Sequence, residues 1–291
     1  MTPPRAAGTR PTGELLAGLF DDAAMYPPGD IPLPEAIAAH LRHRCSAHAF
    51  AVGSFVCGAA ALDDVAYHAA RLLGDSGDPF RVSVIAPDVC TLDALRAGAR
   101  PDPIIALVSL EVPFGDADLR QAGAGDVPVY VELPVATVDD GAARRLVERG
   151  LRLKMRTGGL RAEAFPTEAV LSRAITAAVC AGLAFKCTAG LHHAVRHHDP
   201  ATGFEHHGFL NVILATSLAA GGGDDREVLA AIALREPREL AARIADLGTD
   251  AARLARTSFR SFGTCSIDEP WADLQSLALV DGHAAAVGAA P

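Results

Sequence analysis

The chain has 291 residues, a formal net charge of −9 at pH 7 and an apolar fraction of 50%. This length is common for a single α/β barrel and supplies ample material for a buried core. The acidic charge argues against nucleic acid or an anionic membrane as a main partner, and no apolar run approaches the ~20 residues of a membrane-spanning helix.

The termini and the cysteines are typical of a cytoplasmic protein. Residues 1–12 lack the apolar segment of a secretory signal and are predicted to form a disordered arm. Residues 283–291 are predicted to form a flexible tail, which leaves 13–282 as one catalytic domain. The six cysteines are scattered without a C-x-x-C pair, which indicates reduced thiols. The expected partner is a small molecule, and a homo-oligomer is compatible with the sequence.

Apolar segments bounded by Gly, Pro and Asp alternate with helical patterns along the chain. Their spacing is typical of strand–helix repeats in a parallel sheet. Residues 209–247 contain two or three helical patterns and no obvious strand, so we predict an enlarged helical crossover before the last strand. The eight predicted strands are 15–20, 49–56, 80–86, 103–112, 128–134, 151–157, 183–188 and 257–265.

A doubly wound open sheet would give the same alternation of strands and helices. However, no G-x-G-x-x-G follows the first predicted strand, and the chain contains no P-loop. The strand count and the polar residues at the strand ends favour a closed barrel. We therefore predict an α/β fold, a single (β/α)8 TIM-like barrel.

Charged residues on four consecutive predicted strands are expected to converge in the barrel interior. The chain has two lysines against 24 arginines, and both lysines lie on predicted strands. Because side chains alternate faces along a strand, Lys154 and Lys186 should point inward, opposite their apolar neighbours. The same alternation places Glu111, Glu132 and Arg156 inward, near the carboxyl ends of the strands, where barrels build active sites.

A lysine in such a cluster is suited to imine chemistry. Its amine attacks a carbonyl only when neutral, whereas its ordinary pKa is about 10.4. A neighbouring cation and partial desolvation lower that pKa. We therefore predict Lys186 as the nucleophile beside Lys154, with Glu132 or Glu111 moving protons next to the imine. Position alone would favour Lys154 as the nucleophile.

The segments around the two lysines resemble a known family. "FKCTAG" (185–190) is similar to the Lys-Thr-Ser-Thr-Gly signature of class I, Schiff-base aldolases of the deoxyribose-phosphate aldolase type. "KMRTGG" (154–159) is similar to that family's Lys-Ala-Ser-Gly-Gly motif, although the two motifs occur here in the opposite order. The resemblance implies lysines on strands six and seven and a lyase that acts through an imine on a small carbonyl or phosphorylated substrate. No cofactor is predicted.

Further residues near the strand ends are predicted to bind the substrate. A residue such as Asp21 ordinarily caps a helix, but the end of the first strand also opens into a barrel pocket. The two histidines just beyond Lys186 are candidates for a general acid or for carboxylate binding. Backbone amides after strands seven and eight are candidates for an anion site. The predicted substrate-binding residues are Arg156, Thr188, His192, His193, Asp21, Gly263 and Thr264.

Two alternative functions remain open. Six of the 11 histidines lie in residues 192–207, and imidazole is a common metal ligand, so one alternative is a metal-dependent hydrolase or isomerase that uses this His-rich loop. No H-E-x-x-H spacing supports it, and the simpler interpretation is a solvated polar loop, so no metal ligand is predicted. The other alternative is a non-catalytic barrel whose interior charges form a structural ion-pair plug.

Overall fold

The computed structural model describes residues 12–73, 78–98, 103–113 and 126–281. Eight parallel strands close into a barrel, each paired with its neighbours in chain order, and the last returns to the first. The predicted (β/α)8 TIM-like fold is thereby confirmed. The barrel strands are Phe20–Asp22 (β1), Val52–Gly58 (β2), Phe80–Ile85 (β3), Ile105–Pro113 (β4), Val129–Leu133 (β5), Arg152–Arg156 (β6), Phe185–Thr188 (β7) and Phe259–Thr264 (β10). A separate two-stranded hairpin between β7 and β10 consists of His197–His198 (β8) and Glu205–His206 (β9).

Helices cover the outside of the barrel. Four of them lie between β7 and β10, which confirms the enlarged crossover before the last barrel strand. None of the helices in the described ranges is long and apolar enough to cross a membrane. The helices are Thr12–Leu16 (α1), Leu33–Arg44 (α2), Leu62–Leu73 (α3), Val89–Gly98 (α4), Asp140–Glu148 (α5), Glu168–Cys180 (α6), Phe209–Ala220 (α7), Asp225–Ala233 (α8), Pro237–Ala245 (α9), Thr249–Ser258 (α10) and Asp268–Ser276 (α11).

Local sequence signals explain where the elements begin and end. Helix α6 begins where the hydroxyl of Thr167 accepts a hydrogen bond from the backbone N–H of Val170 at 3.3 Å. The chain leaves α6 through Gly182, whose φ of +68° is readily adopted by glycine. The main core lies between the strands and the helices, where Phe209 of α7 stacks on Phe262 of β10 at 5.1 Å between ring centroids. These contacts fix the outer face of the barrel and leave the polar side chains to its interior.

The first predicted strand, 15–20, is wrong. Residues 12–16 form α1, the chain turns at Gly18 with φ +59°, and β1 begins only at Phe20. Leu15 and Leu16 are buried, but on a helix, and a short apolar run has too little periodicity to separate a strand from a helix. The predicted arm and tail lie almost wholly outside the described residues, although Thr12, assigned to the arm, is the first residue of α1.

Candidate active site

The two lysines share one carboxylate inside the barrel. The Nζ of Lys154 lies 2.7 Å from Oε2 of Glu111, and the Nζ of Lys186 lies 2.5 Å from Oε1 of the same residue. The two lysines are partners in the β6–β7 register, so the alternation that points one inward also points the other inward. All three side chains are at most 5% exposed, and the predicted convergence is confirmed.

Each lysine also contacts a second carboxylate. The Nζ of Lys186 lies 3.1 Å from Asp21, and the Nζ of Lys154 lies 3.0 Å from Glu132. The other oxygen of Glu132 accepts a hydrogen bond from the Nε of Arg156 at 2.8 Å. Three cations therefore face three carboxylates. We call these six residues the interior charge network: Asp21, Glu111, Glu132, Lys154, Arg156 and Lys186.

Hydroxyl groups hold the Asp21 carboxylate in place. Its Oδ1 accepts hydrogen bonds from the backbone N–H of Ser54 at 2.9 Å and from the Ser54 hydroxyl at 2.7 Å, and its Oδ2 accepts one from Ser261 at 2.6 Å. A Cβ at Gly53 would lie 2.5 Å from Oδ1, so this close approach requires glycine. Asp21 is thus fixed inside the barrel by β2 and β10.

Several polar residues that belong to this interior were not among the predicted site residues. The hydroxyl of Ser83 lies 2.6 Å from both Ser54 and Ser109, which makes a chain of hydroxyl groups across β2, β3 and β4. The ring centroid of Tyr130 lies 4.9 Å from the Nζ of Lys186. Inward-facing serines on three neighbouring strands were the sequence signal for this polar layer.

The electrostatics oppose a resting neutral amine at Lys186. Burial alone lowers the pKa of Lys186, but the charges of Asp21 and Glu111 outweigh burial and raise this pKa above its ordinary value. Burial raises the pKa of Glu111, yet the two lysines lower it to about 2. The prediction of a lowered pKa for Lys186 rested on the neighbouring cations and on desolvation. It left out the negative charges of Asp21 and Glu111, which raise this pKa. In the unliganded protein, Lys186 is an ammonium and Glu111 a carboxylate.

The interior charge network lies between two different surroundings. Towards the amino ends of the strands, a cavity of about 390 Å³ is lined by Asp21, Lys186 and the serines, together with Arg44, Arg81, Arg152 and Arg260. Towards the carboxyl ends, Glu132 is 22% exposed and Arg156 is 48% exposed. Lys186 therefore borders the amino-end cavity, whereas Lys154 adjoins the partly exposed pair at the carboxyl ends.

The glycine-containing ends of the two lysine segments pack against each other. A Cβ at Gly190 would lie 2.9 Å from the Cα of Gly158, so neither position has room for a side chain. The hydroxyl of Thr157 donates a hydrogen bond to the carbonyl of Ala189 at 2.5 Å. Ala189 and Gly190 both have positive φ, +58° and +76°. These contacts hold the carboxyl ends of β6 and β7 in a fixed relation.

Among the residues predicted for an anion site, Thr188 and Gly263 lie side by side, whereas the hydroxyl of Thr264 is bonded elsewhere. Thr188 and Gly263 are partners in the β7–β10 register, and Thr188 is half-buried at the end of its strand. The hydroxyl of Thr264 donates a hydrogen bond to the carbonyl of Ser266 at 2.8 Å, and this side chain is buried. Thr264 thus holds the turn after β10, and its hydroxyl proton is already used there.

The two histidines after β7 face α11 and the segment after β10. The Nδ1 of His192 lies 3.3 Å from Oε2 of Glu269 and 3.5 Å from the Sγ of Cys265. The Nδ1 of His193 lies 3.1 Å from Asp273, and the hydrogen bond between them raises the pKa of His193. The ring of His193 also lies edge-on to the ring of His197, with 4.8 Å between the centroids. The roles predicted for the two histidines, a general acid or a carboxylate-binding group, stay predictions.

The His-rich segment is a packed hairpin, which corrects the interpretation as a solvated loop. β8 and β9 pair antiparallel, with His197 opposite His206. His207 is fully buried, its Nε2 2.7 Å from the carbonyl of Pro166 and its Nδ1 3.1 Å from Arg196. Burial lowers the pKa of His207 to about 4. The polar composition of the segment gave no sign that one imidazole fills a buried position.

Comparisons of this chain with protein-family models, with curated proteins and with solved structures found no match. The site is therefore described by its own contacts. Its distinctive feature is a pair of inward lysines that share one buried glutamate.

Proposed function

We propose that this protein is a lyase of the class I aldolase type, which forms an imine between a lysine and a small carbonyl or phosphorylated substrate. The observation that carries the proposal is the sharing of Glu111 by Lys154 and Lys186. Imine catalysis needs an amine, a second cation that favours the neutral form of that amine, and a carboxylate that moves protons. All three kinds of group lie within ion-pair distance here.

We assign the imine to Lys154 and a fixed positive charge to Lys186, the reverse of the assignment made from sequence. The raised pKa of Lys186 supports a permanent ammonium held by Asp21 and Glu111. Lys154 has the partly exposed Glu132 as its second partner. It is thus the lysine nearer the carboxyl-end surface, where barrel enzymes bind their substrates.

The chemical steps follow from these contacts. Glu132, 3.0 Å from the Nζ of Lys154, accepts the ammonium proton and passes it to solvent. The neutral amine adds to the carbonyl carbon, and loss of water gives an iminium ion. This ion accepts the electron pair of the bond between its α and β carbons as the hydroxyl group on the β carbon loses its proton to Glu132. The β fragment leaves as a carbonyl compound, and the remaining enamine takes up a proton at its α carbon and is hydrolysed by water, which frees the amine of Lys154. Glu111 and Lys186 remain charged and hold the reacting amine between them.

The second candidate function is the non-catalytic barrel with a structural ion-pair plug. The specific observation in its favour is the balance of three cations and three carboxylates in the interior charge network. A buried network of this kind needs no substrate to be satisfied. It predicts that neither lysine reacts with any carbonyl compound.

Borohydride trapping distinguishes the two candidates. The purified protein is incubated with a panel of small aldehydes and ketones, with and without phosphate groups, and reduced; intact mass and peptide mapping then locate any adduct. We expect an adduct on Lys154 with at least one compound. It should be absent from Lys154→Arg and retained, more slowly formed, in the matched control Lys186→Arg. An unmodified wild-type protein across the panel would favour the plug, and an adduct on Lys186 would reverse the two roles.

A further inference from the structure

Three side chains from three separate segments meet at the carboxyl ends of β7 and β10. His192 lies in the segment after β7, Cys265 directly follows β10, and Glu269 lies in the first turn of α11. The Nδ1 of His192 is 3.5 Å from the Sγ of Cys265 and 3.3 Å from Oε2 of Glu269. The nitrogen, the sulfur and the carboxylate oxygen all lie within 4.8 Å of one another.

These distances are those of ligands around one tetrahedral zinc ion. Zinc binds imidazole nitrogen at ~2.0 Å, thiolate sulfur at ~2.3 Å and carboxylate oxygen at ~2.0 Å, so tetrahedral angles place nitrogen about 3.5 Å from sulfur and about 3.3 Å from oxygen. Both separations in this site agree with these distances. A direct charge-assisted hydrogen bond between imidazole and carboxylate would be shorter, ~2.7–2.9 Å. The His192–Glu269 separation is therefore more typical of two ligands than of a bonded pair.

Neighbouring contacts hold the chain on both sides of His192 and around Cys265, and Glu269 reaches them from α11. Asp273, one helical turn after Glu269 and on the same face of α11, accepts a hydrogen bond from the backbone N–H of Ala194 at 2.7 Å. Asp273 also contacts His193, so α11 holds the segment next to His192 in place. A Cβ at Gly29 would lie 3.0 Å from the Cβ of Cys265, which shows how closely the loop after β1 packs on that cysteine. His192 and Cys265 are therefore held by packing, and the half-exposed Glu269 side chain can adjust to an ion.

We propose that His192, Cys265 and Glu269 bind one zinc ion through three protein ligands. The mixed nitrogen, sulfur and oxygen donors suit zinc better than magnesium or calcium, which prefer oxygen alone. On binding, Cys265 releases its thiol proton to solvent and binds as thiolate. Three protein ligands leave a fourth position for water or a ligand atom, as in catalytic zinc sites. The site lies outside the interior charge network, and the inference does not rest on imine chemistry.

A second cluster in the described residues provides an internal comparison. The Nδ1 of His43 lies 3.2 Å from the Nε2 of His48 and 3.7 Å from Asp268. This cluster has no sulfur donor, and the Asp268 side chain is 78% exposed. Because Asp268 precedes Glu269 in the chain, substitutions at the two positions form a closely matched pair.

The test measures metal binding by the purified, chelator-treated full chain supplied with zinc or cobalt(II) salts. We expect one equivalent of zinc, and a cobalt spectrum with a thiolate-to-metal charge-transfer band. Cys265→Ser and Glu269→Gln should each weaken zinc binding by at least ~100-fold, and Asp273→Asn by roughly 10-fold, as for a residue that positions a ligand. Circular dichroism checks that each variant folds. If Cys265→Ser does not fold, Glu269→Gln still tests the site, because the Glu269 side chain is exposed.

The matched control variants are Asp268→Asn and His48→Gln, which should bind zinc like the wild-type protein. Sub-stoichiometric zinc in the wild-type protein would overturn the proposal, as would a cobalt spectrum without a thiolate band. Zinc binding that survives Cys265→Ser and Glu269→Gln but is lost in His48→Gln would move the metal to the other cluster and equally overturn it.

Discussion

The interior charge network and the arginine-lined rim of the amino-end cavity balance positive charge in different ways. In the interior charge network, Lys154 and Lys186 each contact two carboxylates within 3.1 Å. At the amino end, the guanidinium groups of Arg44, Arg81, Arg152 and Arg260 line the cavity, and none of them contacts a carboxylate in the described parts of the chain. Arg81 and Arg260 are exposed to water, and neutral oxygens of the protein accept hydrogen bonds from Arg152 and Arg260. These groups are enough for a guanidinium near the surface, whereas a buried ammonium must have a charged partner.

The largest effect should come from Glu111, which holds both buried ammonium groups. Glu111→Gln keeps the size of the side chain but removes its charge, and we expect the free energy of unfolding at pH 7 to fall by about 3–5 kcal/mol. Urea denaturation with an unchanged m-value measures this loss. A fall below about 1 kcal/mol would mean that the buried pairing contributes little, and the comparison of the interior charge network with the rim would fail.

The pH dependence of stability sharpens the same point. The folded-state pKa of Glu111 is lowered from 4.5 to about 2, so its contribution is present above pH 4.5 and is lost as the pH falls towards 2. A shift of this size corresponds to about 3 kcal/mol. The stability difference between the wild-type protein and Glu111→Gln should therefore shrink as the pH falls through this window. Parallel curves for the two proteins would contradict the assignment.

The contrast between buried and exposed polar groups can also be tested within the His-rich segment. His207 is buried between Pro166 and Arg196, so His207→Ala should lower the free energy of unfolding by about 1–3 kcal/mol. His198, whose side chain is 54% exposed, is the matched control, and His198→Ala should change it by less than about 0.5 kcal/mol. Equal effects of the two substitutions would show that the hairpin does not pack around His207.

The smallest effect is expected at the amino-end rim. Arg81 and Arg260 are exposed, and replacement of either with Gln should alter the free energy of unfolding by no more than about 0.5 kcal/mol. Thermal denaturation of both variants beside Glu111→Gln makes the comparison within one experiment. A loss above about 1 kcal/mol at the rim would mean that these guanidinium groups stabilise the fold as buried ion pairs do, and the comparison would fail.

The strand pattern predicted the barrel and the convergence of Lys154, Lys186 and Glu111, because alternation along a strand is a local property. It did not predict the pKa of Lys186. Asp21, which raises that pKa, lies 165 residues away in the chain, and only the closed barrel brings the two together. The burial of His207 depends in the same way on Pro166, 41 residues earlier. The pKa values in the site depend on distances between side chains that are far apart in the sequence, and spacing along the chain does not predict those distances.

The central claim is that Lys186 keeps its charge while Lys154 reacts, and the lysine content makes this directly measurable. Because the chain has two lysines, labelling with 15Nζ-lysine gives two side-chain signals, and Lys154→Arg leaves the signal of Lys186 alone for assignment. We predict that the Lys186 signal remains that of an ammonium even when the pH rises above 10.5, the ordinary pKa of lysine, for as long as the protein stays folded. Addition of a reactive carbonyl compound should change the Lys154 signal to that of an iminium. Loss of the Lys186 proton below pH 10.5, or an iminium signal from Lys186, would contradict the account.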